Sequence, residues 1–217
     1  MYLPSHFEET RSDALQALVR SHPLGTLITQ DRHGALQADP IPFLLDPDPA
    51  PHGTLRGHVA RANPLWRETR ADVDALVVFH GAQGYVSPNW YPSKAEHGKA
   101  VPTWNYIVVQ ARGRLRAIED REWLRAFVTR LTECHEARQT KPWHVSDAPA
   151  DYLEAMLGAI VGIEIELGSL VGKWKVSQNR DAADRAGVIG GLTALAARDD
   201  DALAAALATA MGAPTGG

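Results

Sequence analysis

Residues 24–45 read LGTLITQDRHGALQADPIPFLL. Two β-rich runs, 24–30 and 35–45, flank the turn-forming DRHG, which predicts a strand, a turn and a returning strand. Pro40 and Pro42 have no N–H for a ladder, so the second strand is expected at an edge, a bulge or a ligand. A chain with no helix between its first strands does not suit a doubly wound parallel sheet.

The rest of the chain extends this pattern. Upstream, SDALQALVRSH (12–22) carries Leu15, Leu18 and Val19 on one face and predicts a helix. Downstream of the breaker-rich loop 46–53, TLRGHVA (54–60) reads as a third strand. Asn63 and Pro64 suit the start of a short helix. DALVVFH (74–80) is an apolar β-rich run, followed by a break at Gly81 and Gly84. NYIVVQARGRLRAI (105–118) is one long strand or two joined at Gly113, and IVGIEIEL (160–167) alternates with period two. Helices are expected over 120–138, capped by Asp120, over 149–159, and through most of the chain from 179 onward. The last six residues are expected to fray. Six or seven mostly antiparallel strands predict a mainly β, α+β architecture, a closed or partly closed barrel with helices outside. Residues 1–178 are expected to form this domain with inserted helices, and 179–211 a helical extension packed on it.

Composition narrows the function classes. The 217 residues carry a net charge of −4, which argues against duplex binding, because a DNA surface needs clustered cations. No apolar run approaches the ~20 residues that cross a bilayer, so no membrane role is expected. The N-terminus has no signal-peptide pattern, and the single Cys134 cannot form an internal disulfide; a cytoplasmic protein is expected. Cys134 is expected to be a buried small residue and His135 a surface residue of its helix. There is no nucleotide phosphate loop, dinucleotide fingerprint, nucleophile elbow, zinc-protease motif or helix-turn-helix signature. GVIGGL (187–192) lies in a helical stretch and is expected to serve packing. No catalytic residue and no metal site is identified.

Three clusters remain. In GHVARANPLW (57–66), His58 projects from a strand, while Arg61 and Asn63 stand where a helix begins, a natural phosphate site. The alternative is a plain strand-to-helix corner with a solvated arginine. SPNWYPSKAEHGKAVPTWNY (87–106) mixes Trp90, Tyr91, Trp104 and Tyr106 with donors; these rings are core or interface aromatics, or flank a planar ligand. In GKWKVSQNR (172–180), Lys173 and Lys175 share one strand face, and Ser177, Gln178, Asn179 and Arg180 follow as donors. That set suits an anion or a carbonyl-rich ring edge; alternatively Ser177 or Asn179 caps the next helix. Together the clusters suit a flavin mononucleotide better than a nucleoside triphosphate, which normally needs a metal-holding carboxylate.

Seven stretches run in order along nearly the whole chain: MYLPSHF (1–7), LGTLIT (24–29), GHVARANPLW (57–66), ALVVFHGAQGYVSPNWY (75–91), VPTWNY (101–106), IVGIEIEL (160–167) and KVSQNR (175–180). On these, VPTWNY and K-x-SQNR above all, the sequence resembles the PaiB-type, FMN-binding negative transcriptional regulator family. The resemblance implies a split β-barrel of the FMN-binding type, similar to pyridoxamine-phosphate oxidases. It further implies a homodimer with flavin sites at the subunit interface. It puts His58, Arg61 and Asn63 near the phosphate or ribityl, Trp104 and Asn105 near the interface, and Lys175, Ser177, Gln178 and Asn179 on the cavity wall. Residues 87–106 then read as two barrel strands crossing the subunit boundary. Where relatives often carry Ala-Thr-His, this chain has Ala38-Asp39-Pro40, and a carboxylate on that edge would repel a phosphate. Lacking a DNA-reading element, the chain would regulate indirectly or through a dimer surface. The competing readings are a flavin-dependent oxidoreductase or haem-handling enzyme of the same barrel class, and a cofactor-free dimeric scaffold.

Overall fold

The 24–45 hairpin forms in register: Leu24 faces Pro42 and Gln30 faces Leu36. Its turn is closed by Asp31, whose carboxylate accepts from the amides of His33 (2.8 Å) and Ala35 (2.9 Å), and by Gly34 at φ 86°. The computed structural model describes residues 1–199 and 201–212. In chain order the elements are β1 (Glu8–Glu9), α1 (Ser12–Ser21), β2 (Leu24–Gln30), β3 (Leu36–Pro42), β4 (Leu44–Asp46), β5 (Thr54–Ala60), α2 (Leu65–Glu68), β6 (Ala75–Val86), α3 (Ser93–His97), β7 (Thr103–Ile118), α4 (Arg121–Glu136), α5 (Ala150–Gly158), β8 (Ile160–Lys175), α6 (Ala182–Asp199) and α7 (Ala202–Gly212). The sheet runs β3-β2-β6-β7-β8-β5-β4, with β1 paired to β8. The β2–β3, β2–β6, β4–β5, β5–β8 and β1–β8 pairings are all antiparallel. The expected mainly β, antiparallel architecture with flanking helices is therefore observed. Pro40 and Pro42 lie on β3, an edge strand, where a missing donor leaves no ladder bond unmade.

The chain forms two compact units. The first comprises Gln16–Phe79 and Gln110–Leu170. Its core contains Leu27, Phe43, Leu55, Phe79, Leu124 and Ile163, all buried, with Phe43 and Phe79 meeting edge-on at 6.1 Å. Helix α4 starts where Asp120 accepts from the amide of Trp123 (2.7 Å), and Trp123 stacks on Phe127 at 5.2 Å. Arg56 on β5 pairs with Asp46 on β4 and with Glu164 on β8 (2.8 Å), tying three adjacent strands by matched charges. The second unit comprises Met1–Leu15, His80–Val109 and the chain from Val171. In it α6 and α7 bury Val188, Leu192, Leu207 and Met211.

Several expectations are corrected. Strand β6 does not break at Gly81 and Gly84; it runs unbroken to Val86. A Cβ on Gly84 would stand 3.2 Å from Leu207 and 3.3 Å from Leu192, so this glycine admits helix side chains rather than ending the strand. Strand β7 is one strand through Gly113, the first of the two forms expected for it. Residues 87–106 are not two strands: a 3-10 turn (Pro88–Trp90) and α3 precede β7, as their prolines require. Cys134 is exposed, not buried: it shares the face of buried Phe127, seven residues earlier, but stands in the last turn of α4, where that face is no longer covered. The described residues form eight strands rather than six or seven, since two-residue β1 and three-residue β4 are too short to show a period. Of the last six residues, expected to fray, Gly212 closes α7 and 213–217 lie outside the described residues.

The GVIGGL stretch serves packing, as expected. A Cβ on Gly191 would fall 2.2 Å from the Trp90 indole, whereas one on adjacent Gly190 would meet nothing within 4 Å. Gly191→Ala is expected to cost about 1–3 kcal/mol by overpacking. Gly190→Ala is expected to add about 0.5–1 kcal/mol by restricting the unfolded chain and favouring the helix. Urea midpoints of the two variants measure this; equal shifts of the same sign would refute it.

Candidate functional site

The period-two pleat at the end of β8 places Lys173 and Lys175 on one face. Lys173 is only 7% exposed; its ammonium donates to the Tyr2 carbonyl (3.0 Å) and lies 5.4 Å from the Tyr106 ring. The Lys175 ammonium donates to Thr103 Oγ1 (2.6 Å) and the Trp104 carbonyl, and lies 5.9 Å from the same ring. Tyr106 is thus shared by two ammoniums. Among the described residues neither lysine forms an ion pair. Burial, and then the charge of Lys173, hold Lys175 below the ordinary lysine range.

Beyond the strand the chain makes a tight turn. Ser177 adopts φ 62°, a left-handed conformation that costs a non-glycine residue about 1–2 kcal/mol. Asn105, 1% exposed, holds it by donating to Ser177 Oγ (2.8 Å). Gln178 folds back, accepting from the Val176 amide (2.8 Å) and donating to the Trp174 carbonyl. The cap of α6 is Asp181, which accepts from the Asp184 amide (2.8 Å), so Ser177 and Asn179 do not serve as caps. Asn179 and Arg180 instead border a cavity of about 210 Å³ with Tyr91, Thr103, Asn105, Lys175 and Ser177. The Arg180 guanidinium lies 4.7 Å over the Tyr91 ring. Tyr91 is 3% exposed and its hydroxyl is buried without a partner. No carboxylate of the described residues lines the cavity. Trp104 stands outside it, 49% exposed, edge-on to Tyr85 at 6.3 Å and bonded to Gln83 (3.3 Å).

The other three sequence candidates lie in the first unit. Arg61 donates to the carbonyls of Gly158 (2.8 Å) and Ile160 (3.1 Å) and pairs with Glu119. Asn63 accepts from the Leu65 amide (2.9 Å) and donates to Asp39 (3.1 Å), occupying the first amide of four-residue α2. The cavity beside them is lined by Asp31, Asp39 and Glu68, an acidic set. His58 packs edge-on against Phe127 at 5.8 Å, and its Nδ1 is buried without a partner. The structure therefore brings Asn105, Lys175, Ser177 and Asn179 together. It leaves Gln178 inside the turn and matches the charge of Arg61 locally. Tyr91 and Arg180, which the sequence offers as a ring beside a planar ligand and a donor of the run after Lys175 without assigning either a role, line the same cavity.

The antiparallel sheet with flanking helices is that of a split-barrel protein. The chain belongs to the family described as "Putative FMN-binding domain", which matches residues 1–169. It is 36% identical over 228 residues to an uncharacterized protein of Emericella nidulans, covering 88% of this chain and 90% of that one. It is 32% identical to the protease synthase and sporulation protein PAI 2 of Bacillus subtilis, covering 87% of each. The sequence resemblance to the PaiB-type family is thereby borne out. In fold it is similar to the FAD and heme binding protein of Mycobacterium smegmatis, with a TM-score of 0.55 and 19% identity over 82% of this chain and 78% of that one. No helix among the described residues is long and apolar enough to cross a membrane.

Burial lowers the pKa of His58. Below about pH 6.5 the unfolded chain takes up a proton at this histidine that the folded chain refuses, so stability falls with pH. His58→Leu is expected to lose less stability than the parent between pH 7 and pH 5. Parallel denaturation curves at the two pH values measure this, and identical losses would clear His58 of the effect.

Proposed function

We propose that the chain binds FMN in the Lys175–Arg180 cavity and acts as a homodimeric, flavin-responsive negative regulator. The observation that carries the binding reading is a cavity with two cations, several neutral donors and no carboxylate among its lining residues. FMN joins an anionic phosphate to a flat ring rich in hydrogen-bond acceptors, and this donor set complements it. Lys175 and Arg180 would hold negative charge. Asn105 would fix the left-handed turn that aims Asn179 and Arg180, and exposed Trp104 offers a flat apolar face nearby in sequence. When bound, FMN would supply reversible electron transfer. The family description supports the flavin, and the regulatory role rests on the resemblance to the PaiB-type family, which the Bacillus relative supports. Exposed Val101 and Trp104 supply apolar surface of the kind a second copy covers.

Titration of the purified protein with FMN, followed by flavin fluorescence and visible absorbance, tests the reading. Lys175→Ala and Arg180→Ala are each expected to weaken binding by about 1–3 kcal/mol. Because Lys175 loses its proton below the usual lysine range, affinity should fall as pH rises into the alkaline region. Unaltered affinity in both variants would remove the cavity from the argument. The regulatory reading predicts a dimer in sedimentation and an FMN-dependent change in a DNA or protein complex. A monomer whose binding partners ignore FMN would end it.

A further inference from the structure

Resting on the flavin reading, we infer that this cavity takes the phosphate monoester of the nucleotide, and that Tyr91 and Arg180 discriminate FMN from riboflavin. Four observations converge. The cavity of about 210 Å³ is smaller than the ~300–1,000 Å³ that encloses a whole ligand of this size, so it accepts one end. Its two full positive charges face no carboxylate, and a neutral ring edge would leave them unmatched where a phosphate would not. The Tyr91 hydroxyl is buried with no partner, an arrangement that costs stability until an acceptor arrives. Lys175 uses two of its three N–H donors on Thr103 and the Trp104 carbonyl, leaving the third for a ligand.

The geometry also orders the two discriminating groups. Arg180 lies over the face of the Tyr91 ring, so its planar fork is held by stacking instead of a salt bridge. Both residues line the cavity, the guanidinium over the phenol ring. A phosphate oxygen would accept from the Tyr91 hydroxyl and the Arg180 N–H groups together. The first unit offers a phosphate less: Arg61 has its charge matched by Glu119, and the cavity at Asn63 is lined by Asp31, Asp39 and Glu68.

The test compares FMN, riboflavin and inorganic phosphate on the full chain, with Tyr91→Phe and Arg180→Met. Tyr91→Phe keeps the ring beneath Arg180, and retained riboflavin binding reports that each variant is folded. The parent protein is expected to bind FMN roughly tenfold or more tighter than riboflavin. Inorganic phosphate should compete with FMN and leave riboflavin binding untouched. Both variants should lower FMN affinity toward that of riboflavin while leaving riboflavin affinity unchanged. Equal binding of FMN and riboflavin by the parent, or variants that weaken both alike, would show that the cations face the ring and overturn the phosphate assignment alone. If neither flavin binds, the flavin reading itself falls and this inference with it.

Discussion

Two ammonium groups on one strand face, neither in an ion pair among the described residues, set the character of this protein. Placing an ammonium among buried groups is unfavourable unless hydrogen bonds and nearby electron density offset the lost water. Lys173 and Lys175 obtain both from neutral groups: carbonyls of Tyr2 and Trp104, the Thr103 hydroxyl and the Tyr106 ring. Neutral acceptors satisfy hydrogen-bonding needs without cancelling charge. A positive field therefore persists at the strand end, where Asn105 holds Ser177 in its left-handed turn and directs the chain past Arg180.

The first unit uses its charges in the opposite way. Arg56 is matched by Asp46 and Glu164, Arg61 by Glu119, and Asn63 is bound on one side to Asp39. Those pairs join strands and corners, and the cavity beside them is acidic. In the second unit Glu9 pairs with Arg11 and Arg198 with Asp199, whereas Lys173, Lys175 and Arg180 form no ion pair among the described residues. The family match ends at residue 169, so the Lys173–Arg180 segment that sets the positive field lies outside the matched residues.

Much of the fold was legible because its elements follow short-range rules. The 24–45 hairpin announced itself through β-rich runs around an Asp- and Gly-bearing turn, and α4 through Asp120 and its spaced apolar residues. The failures occurred where a local rule meets a distant neighbour. Gly84 looks like a breaker until Leu192 and Leu207 are seen against it. Cys134 shares the helix face of buried Phe127, yet in the last turn of α4 that face is exposed. The run 87–106 has aromatic content that suits strands, yet its prolines bend it into a 3-10 turn and a short helix.

For the site, residue order alone decided that Lys173 and Lys175 share a face, because a strand alternates with period two whatever surrounds it. It also decided that the chain is acidic overall and carries a run of donors after β8. Only the tertiary structure decided which of the candidate cations remain unmatched, since charge balance depends on carboxylates far away in sequence, as with Arg61 and Glu119. It alone brought Tyr91 beneath Arg180, 89 positions later, because stacking joins residues through space and leaves no periodic trace along the chain.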